Sequence, residues 1–467
     1  MQARIPLIPN SAVPLEASPA KVEDTFDDRE RDTRETRRQG TMTTTHETFD
    51  RVESQVRSYS RSFPKLFGKA KGSIIYGEDG REYIDFLAGC SSLNYGHNDP
   101  DMQAALVDYV TSDGITHGLD MFTRAKEEFL VAYENIILKP RGMDYKLMFT
   151  GPTGANAVEA AIKLARKVTG RTNVIAFTNG FHGMTLGALA ATGNAGKRGG
   201  AGIDLNGVHR APFEGYFGPD VDTADMLEQM LDDPSGGIDA PAAILVEPVQ
   251  GEGGLNAASG EWLKKIETIA KKHGALLILD DIQAGCGRTG TFFSFEEFGL
   301  DPDIITQAKS LSGMGLPFAL TLLKPEHDIW KPAEHNGTFR GNNHAFVTAR
   351  VALEKFWRDD AFANSVRAKG EHLKTRLGAI AKRYGLNLRG RGMMMGINTE
   401  QGDVASDICA KCFEKGLIIE TSGGRDEVVK VLCPLTIDIA QLDKGLDIIE
   451  DAFEAVLAKD VSRAAAE

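Results

Sequence analysis

This chain predicts an α/β fold: a mostly parallel sheet flanked by helices, followed by a smaller α+β C-terminal domain. Three observations carry the prediction. Apolar runs such as Ala242–Val246, Leu276–Leu279 and Ile304–Ile305 are short and unbroken, as in strands buried on both faces. Helical patterns lie between them, often entered through Gly-rich turns. From about Ala345 the order changes, and helices separate isolated strand-like pieces at Gly392–Ile397 and Val428–Leu432.

Composition sets the outer bounds. A chain of 467 residues is long enough for two domains and a large core. Its 42% hydrophobic and 25% charged content is that of an ordinary globular protein. A net charge of −13 argues against a nucleic-acid binder, which needs a basic face. No apolar run reaches membrane-spanning length and no signal-peptide core follows Arg4, so a cytoplasmic enzyme is expected. Cys90, Cys286, Cys409, Cys412 and Cys433 are few and odd in number, which fits reduced thiols. Cys409 and Cys412 form a CxxC without a second ligand pair, so they read as one face of a helix from about Val404 to Lys415, and no metal site is expected.

Residues 1–46 combine a Pro- and Ala-rich start with a dense mixture of both charges from Lys21 to Arg38. Such a segment buries too little apolar surface to offset its ordering entropy, and a disordered tail is expected. Met42 offers an alternative start, which the mass of the native N-terminus would decide. Residues 47–100 form an N-terminal segment, with a hairpin predicted where Gly77-Glu-Asp-Gly80 separates Ser73–Tyr76 from Glu82–Phe86. Asp99-Pro100 marks the start of a helix.

The large domain is expected over 101–344. Leu147–Thr150 is a strand, and the Gly-rich turn from Gly151 opens a strongly helical run to Gly170, a layout that aims free N–H groups at a phosphate. Strands follow at Asn173–Phe177 and Ala242–Pro248. Glu261–His273 is an amphipathic helix with Leu263, Ile266 and Ile269 on one face. Leu276–Asp280 is the central strand, and Phe318–Leu323 is another. The polar segment after Trp330 is a loop, a long helix begins near Ala345, and 345–467 form the small domain, closed by an amphipathic helix over Ala440–Ala458.

Chemistry concentrates between Leu276 and Lys309. One apolar run ends in Asp280 and Asp281, the next leads to the lone Lys309 before a Gly-rich turn. Ligand chemistry in an open parallel sheet collects at the carboxyl ends of strands, so both groups can face one crevice. A lysine amine, a carboxylate and helix-start N–H donors are the set that pyridoxal phosphate needs: one for its aldehyde, one for its pyridinium nitrogen, the last for its phosphate. On Asp280 and Lys309 alone the plainer reading, a strand-end cap and a solvated lysine, is preferred.

Taken together, the segments GPTGANAVEAAIKLAR, FHG, EPVQGEGG, LDDIQAGCGRTG, AKSLSGMGLP and TFRGN, in that order, resemble the class III (ω) aminotransferases of the pyridoxal-phosphate fold type I group. The resemblance runs from about Phe49 to Glu467. It implies that Lys309 holds the cofactor aldehyde, Asp280 the pyridinium nitrogen, and that Gln283 lies near the phenolic oxygen. It further implies phosphate contacts from the N–H groups of Gly154 and Ala155, a ring stacked on Phe181 with His182 beside it, and a cofactor contact from Glu247. Thr338 would reach the cofactor phosphate of a neighbouring subunit, making a homodimer the smallest active unit. For His182 a packed, hydrogen-bonded core histidine is an equal alternative.

Within that class, GPTGANAVEAA, FHGMTLGALAATGN, SLSGMGLPFALTL and HNGTFRGNN resemble the diaminobutyrate–2-oxoglutarate transaminases, implying amino and oxo acid substrates and a place in ectoine biosynthesis, or in a siderophore route. Two positions depart from the broader class, with Met184 and Lys430 where many members carry Arg. A lysine binds a carboxylate as a point charge, without the bidentate fork. A gate between Glu252 and Lys430, closed for a diamine and open for a dicarboxylate, is the expectation; a surface lysine is the alternative. Acetylornithine-type and 4-aminobutyrate-type transaminases are the nearest rivals. A non-catalytic relative is argued against by the intact Asp280 and Lys309. A nicotinamide-dependent enzyme ranks low because no GxGxxG opens a helix after an early strand.

Overall fold

The computed structural model describes residues 47–464, with side chains to residue 457; the tail expected over 1–46 lies outside the described residues. The chain divides into two compact units at Pro64. In the first, Glu47–Val52 and Tyr59–Ser62 are short helices, and Arg57 pairs with Asp50 at 3.0 Å.

The second unit, Lys65–Glu467, opens with antiparallel strands β1 (Phe67–Lys71), β2 (Ile74–Gly77) and β3 (Glu82–Asp85). The β2–β3 hairpin turns where Asp-Gly was expected to turn it. The large sheet then collects β4 (Lys146–Phe149), β5 (Val174–Phe177), β6 (Val208–Ala211) and β7 (Ala243–Val246). The short β8 (Val249–Gln250) and β9 (Asn256–Ala257) pair with each other. β10 (Leu276–Asp280), β11 (Ile304–Gln307) and β12 (Leu320–Leu323) complete the large sheet in the order β4-β12-β11-β10-β7-β5-β6. β12 runs antiparallel to both its neighbours, while β11, β10, β7, β5 and β6 are parallel.

The apolar strands look uniform in sequence, yet their residues divide by the period of two. Leu277 and Leu279 of β10 join one core with Trp262, Leu263 and Ile266 of the helix Gly260–His273. Leu276 and Ile278 join the opposite core with Val158, Ala161, Ile162 and Leu164 of the helix Gly154–Thr169. β5 and β7 divide in the same way, Ile175 and Ile244 going to the first core and Val174 and Ala243 to the second. The helices therefore cover both faces, which is why these strands carry no polar alternation.

A second sheet follows, in which β13 (Asn387–Arg391), β14 (Met394–Asn398), β16 (Glu420–Ser422) and β17 (Val428–Val431) are ordered β13-β14-β17-β16, all antiparallel. β15 (Leu417–Ile418) returns to pair in parallel with β3. The helices Ala361–Arg383, Gly402–Glu414 and Ile439–Ala464 supply Leu373, Ile408 and Phe453 to the core beside this sheet. Cys409 and Cys412 lie on the Gly402 helix, and Cys286, Cys412 and Cys433 are buried.

Candidate active site

Register brings the site residues together. β10 and β11 pair in parallel with Asp280 opposite Thr306, so Asp280 and Lys309 leave adjacent strands at their carboxyl ends. Glu247 follows β7, the other neighbour of β10, while Phe181 and His182 follow β5. Gly154 and Ala155 open the helix after β4. Every one of these groups therefore sits beyond the carboxyl end of a strand.

Asp280 is 4% exposed and held from several sides. His182 Nδ1 lies 2.7 Å from its Oδ2, and the Thr306 hydroxyl donates to its Oδ1 at 3.0 Å. The Ile282 N–H also donates to Oδ1, at 3.3 Å. Burial lowers the His182 pKa; the hydrogen bond to Asp280 and the charges of Glu247 and Asp280 outweigh it and hold the imidazole above its ordinary range. His182 is thus a buried, hydrogen-bonded histidine, the plainer of its two readings, and the immediate neighbour of Asp280.

Glu247 accepts from the Phe181 N–H at 2.9 Å. Burial pushes its carboxyl up to about 8, against the opposing charge of His182. Phe181 is partly exposed, with Lys197 Nζ 4.7 Å from its ring centre. Lys309 is half-buried in a left-handed conformation, φ +51°, and among the described residues its Nζ has no hydrogen bond or ion pair. Burial lowers its pKa, and the charge of Lys430 adds to that while Glu252 opposes it.

At the Gly154 helix, Thr153 caps by accepting from the Asn156 N–H at 3.4 Å. The N–H groups of Gly154 and Ala155 have no acceptor among the described residues. A Cβ placed on Gly154 would lie 3.0 Å from Ile282 Cδ1 and 3.7 Å from Ala308 Cβ. The helix start is therefore wedged between the residues that follow Asp280 and the one that precedes Lys309. Its unpaired donors carry the positive end of the helix dipole into that crevice.

Residues 56–453 match the family described as Aminotransferase class-III. This chain belongs to that family. It is 58% identical over 405 residues to a diaminobutyrate–2-oxoglutarate transaminase of Vibrio cholerae, covering 86% of this chain and 98% of that one. It is 57% identical over 419 residues to the protein of the same name from Vibrio parahaemolyticus, covering 89% and 99%. Among solved structures, the ornithine aminotransferase of Toxoplasma gondii superposes with a TM-score of 0.75 at 28% identity, covering 91% of this chain and 98% of that one. The fold is that of the type I pyridoxal-phosphate enzymes, and the aminotransferase uses pyridoxal 5′-phosphate. The residues present fit that group: an unpaired lysine amine, a fixed carboxylate and unpaired helix-start N–H groups surround one crevice.

Glu252 and Lys430 meet at 2.8 Å. Lys430 is fully buried, so a surface lysine is ruled out. Burial alone would lower its pKa, but the charges of Glu252 and Glu420 hold it well above the ordinary lysine range. Burial would raise Glu252; the charges of Lys430 and Lys309 hold it well below the usual carboxylate range instead. Gln283 Nε2 donates to Glu252 Oε1 at 3.0 Å and to the Cys90 carbonyl at 3.3 Å, leaving its own Oε1 buried without a partner among the described residues. Met184 is 54% exposed. Thr338 is exposed and lines a cavity of about 370 Å³ with His117, Phe339 and Asn342; Lys309 is not among the residues lining it.

Three contributors escaped the sequence reading. Thr306 is a polar residue inside an apolar strand, a signal that was there to be used. Glu420 lies opposite Lys430 across β16 and β17, a pairing that no local pattern announces. Residues Ala88, Gly89, Cys90 and Ser91 all have positive φ, between 45° and 72°, and form a strained left-handed turn. That turn supplies the Cys90 carbonyl to Gln283 and the Ser91 carbonyl to the hydroxyl of Ser310, next to Lys309.

Proposed function

We propose that this aminotransferase moves an amino group between the α-carbon of L-glutamate and the aldehyde carbon of L-aspartate 4-semialdehyde, interconverting them with 2-oxoglutarate and L-2,4-diaminobutyrate. The observation carrying the reading is the convergence of Lys309, Asp280 and the Gly154 helix start in a chain so similar to named diaminobutyrate transaminases. Formation of the diamine is the first step of ectoine biosynthesis, the route we assign this enzyme to, with the cytoplasm as its location. Loss of ectoine on deletion of the encoding gene tests that assignment.

Bound in the crevice, pyridoxal phosphate supplies an electron sink for the substrate's amino-bearing carbon. The chain's own residues do the rest. Gly154 and Ala155 would hold the phosphate through their N–H groups, and Phe181 would pack against the ring. Asp280 holds the pyridinium proton, and His182 and Thr306 fix the carboxylate so that its charge stays aimed. Lys309 would hold the cofactor aldehyde and, when free, would serve as the base that holds and moves the proton of the substrate's amino-bearing carbon. That role requires a neutral amine, which burial favours.

The Glu252–Lys430 pair is the closed form of a gate, opened when a dicarboxylate draws on the lysine charge. In Lys430→Ala the Michaelis constant for glutamate rises; an unchanged value sinks the gate. The active unit is a homodimer in which Thr338 serves the partner's cofactor phosphate. Leu119, Met121 and Phe339, each at least half exposed, flank the Thr338 cavity and supply an apolar surface for that contact.

The test of the function is a half-reaction. Purified holoenzyme, given L-2,4-diaminobutyrate without an oxo acid, loses the visible band of its lysine-bound cofactor while aspartate 4-semialdehyde accumulates. Bleaching only by ornithine derivatives or 4-aminobutyrate would reject the substrate and keep the class.

A further inference from the structure

Lys309 is held in a conformation that its residue type disfavours. Its φ of +51° is left-handed, and a non-glycine residue stays there only where its surroundings fix it. The next residue supplies the fixing. The Ser310 hydroxyl donates to the Ser91 carbonyl at 2.7 Å and accepts from the Asn94 N–H at 2.9 Å. Ser310, Ser91 and Asn94 are all buried, so water competes for neither bond.

The segment that receives Ser310 is itself strained, since every residue from Ala88 to Ser91 has a positive φ. Arg288 clamps it. Its Nε donates to the Ser91 hydroxyl at 3.2 Å, and its Nη2 donates to Asn94 Oδ1. Its Nη1 donates to the carbonyls of Met393, at 3.2 Å, and Cys433, at 2.6 Å. The guanidinium is wholly buried, and among the described residues all four of these acceptors are neutral. Burying a cation on neutral acceptors is costly, so the fork is spent on holding these segments together. The Ser91 hydroxyl also donates to the Gln283 carbonyl at 3.1 Å. One clamp therefore fixes the backbone beside Lys309 and that of Gln283.

We propose that Ser310, through the turn that Arg288 clamps, is a positioning residue that sets the direction in which Lys309 presents its amine. This rests on the reading of Lys309 as the lysine that holds the cofactor aldehyde. In that capture the Lys309 nitrogen bonds the aldehyde carbon, and the aldehyde oxygen leaves as water with both amine protons. The rate depends on where the nitrogen stands, and a displacement of about 1 Å costs up to about a hundredfold. Affinity for the ring and phosphate does not depend on it, because Gly154, Ala155 and Asp280 would hold those parts.

The experiment separates capture from binding in the full-length protein stripped of cofactor. Capture is the rate at which the visible band grows at saturating pyridoxal phosphate. Binding is the affinity for 4′-deoxypyridoxine 5′-phosphate, which has the ring and phosphate but no aldehyde, read by intrinsic fluorescence. In Ser310→Ala capture slows by about tenfold or more while that affinity stays within about twofold of the wild type. Arg288→Lys keeps the charge and loses the fork, and it gives the same split from the other end of the network. It decides by itself if Ser310→Ala does not fold. An unchanged capture rate overturns the proposal. So does a parallel loss of capture and affinity, the mark of a merely structural role. Borohydride reduction of the wild-type holoenzyme, followed by peptide mapping, leaves the cofactor on Lys309. A label on another lysine rejects the parent reading and this inference with it.

Discussion

Asp280 and Asp281 are consecutive and chemically identical, and the fold gives them opposite environments. Asp280 is ringed by His182, Thr306 and the Ile282 N–H at the crevice. Asp281 points into the interior, where its main partners are the N–H and hydroxyl of Ser294, and burial pushes its carboxyl up to about 8. In Asp280→Asn the charge is lost while Lys309 still binds the cofactor; the visible band persists and kcat falls by roughly a hundredfold or more, as for other displaced acid–base groups. Asp281 affects stability instead. Its folded pKa lies above the unfolded 3.8, so the fold holds the proton more tightly, and stability is lost as pH rises through about 8. Thermal unfolding of the wild type followed between about pH 6 and 9 shows a falling midpoint, and Asp281→Asn flattens the fall.

The Gly154 helix and the loop carrying His182 depend on each other through one glycine. Gly183 has φ +140°, and a Cβ there would sit 2.7 Å from Ala155 Cβ and 3.0 Å from Ala188 Cβ. Only hydrogen in that place lets the loop lie against the helix start. Gly183→Ala therefore costs about 1–3 kcal/mol by overpacking and backbone strain. Because the displaced atoms belong to Ala155, cofactor affinity falls as well, seen as a higher pyridoxal phosphate concentration for half-saturation of the visible band. The strands show what local pattern can reveal. β5, β7, β10 and β11 were legible because burial on both faces demands unbroken apolar runs. β1, β6, β13, β15 and β16 were not, and each lies at the edge of its sheet. An edge strand such as β13, Asn387–Arg391, meets solvent and carries the polar and glycine residues that hide it.

The proposed homodimer is tested through Thr338. In the proposed dimer, Thr338, exposed beside apolar surface in a cavity that Lys309 does not line, serves the site of the partner subunit. Protomers carrying Lys309→Ala, mixed and reassociated with protomers carrying Thr338→Ala, then form heterodimers with one intact site each. Random reassociation restores intact sites to about a quarter of the wild-type number, readable as activity at limiting cofactor. If every site were built within one chain, mixing would restore nothing beyond the sum of the two variants.

Order along the chain was enough for the alternating architecture and the Gly-rich helix entry, which are written in contiguous residues, and the rule that parallel strands present their carboxyl ends together let Asp280 and Lys309 be expected at one crevice. Contacts between distant segments were decided only in three dimensions. His182 meets Asp280, Thr306 steadies it, and Lys430 turns out to be buried between Glu252 and Glu420 rather than exposed on a strand. The reason is physical: a side chain's charge and partners are set by burial and strand register, and those are properties of packing that no stretch of neighbouring residues contains.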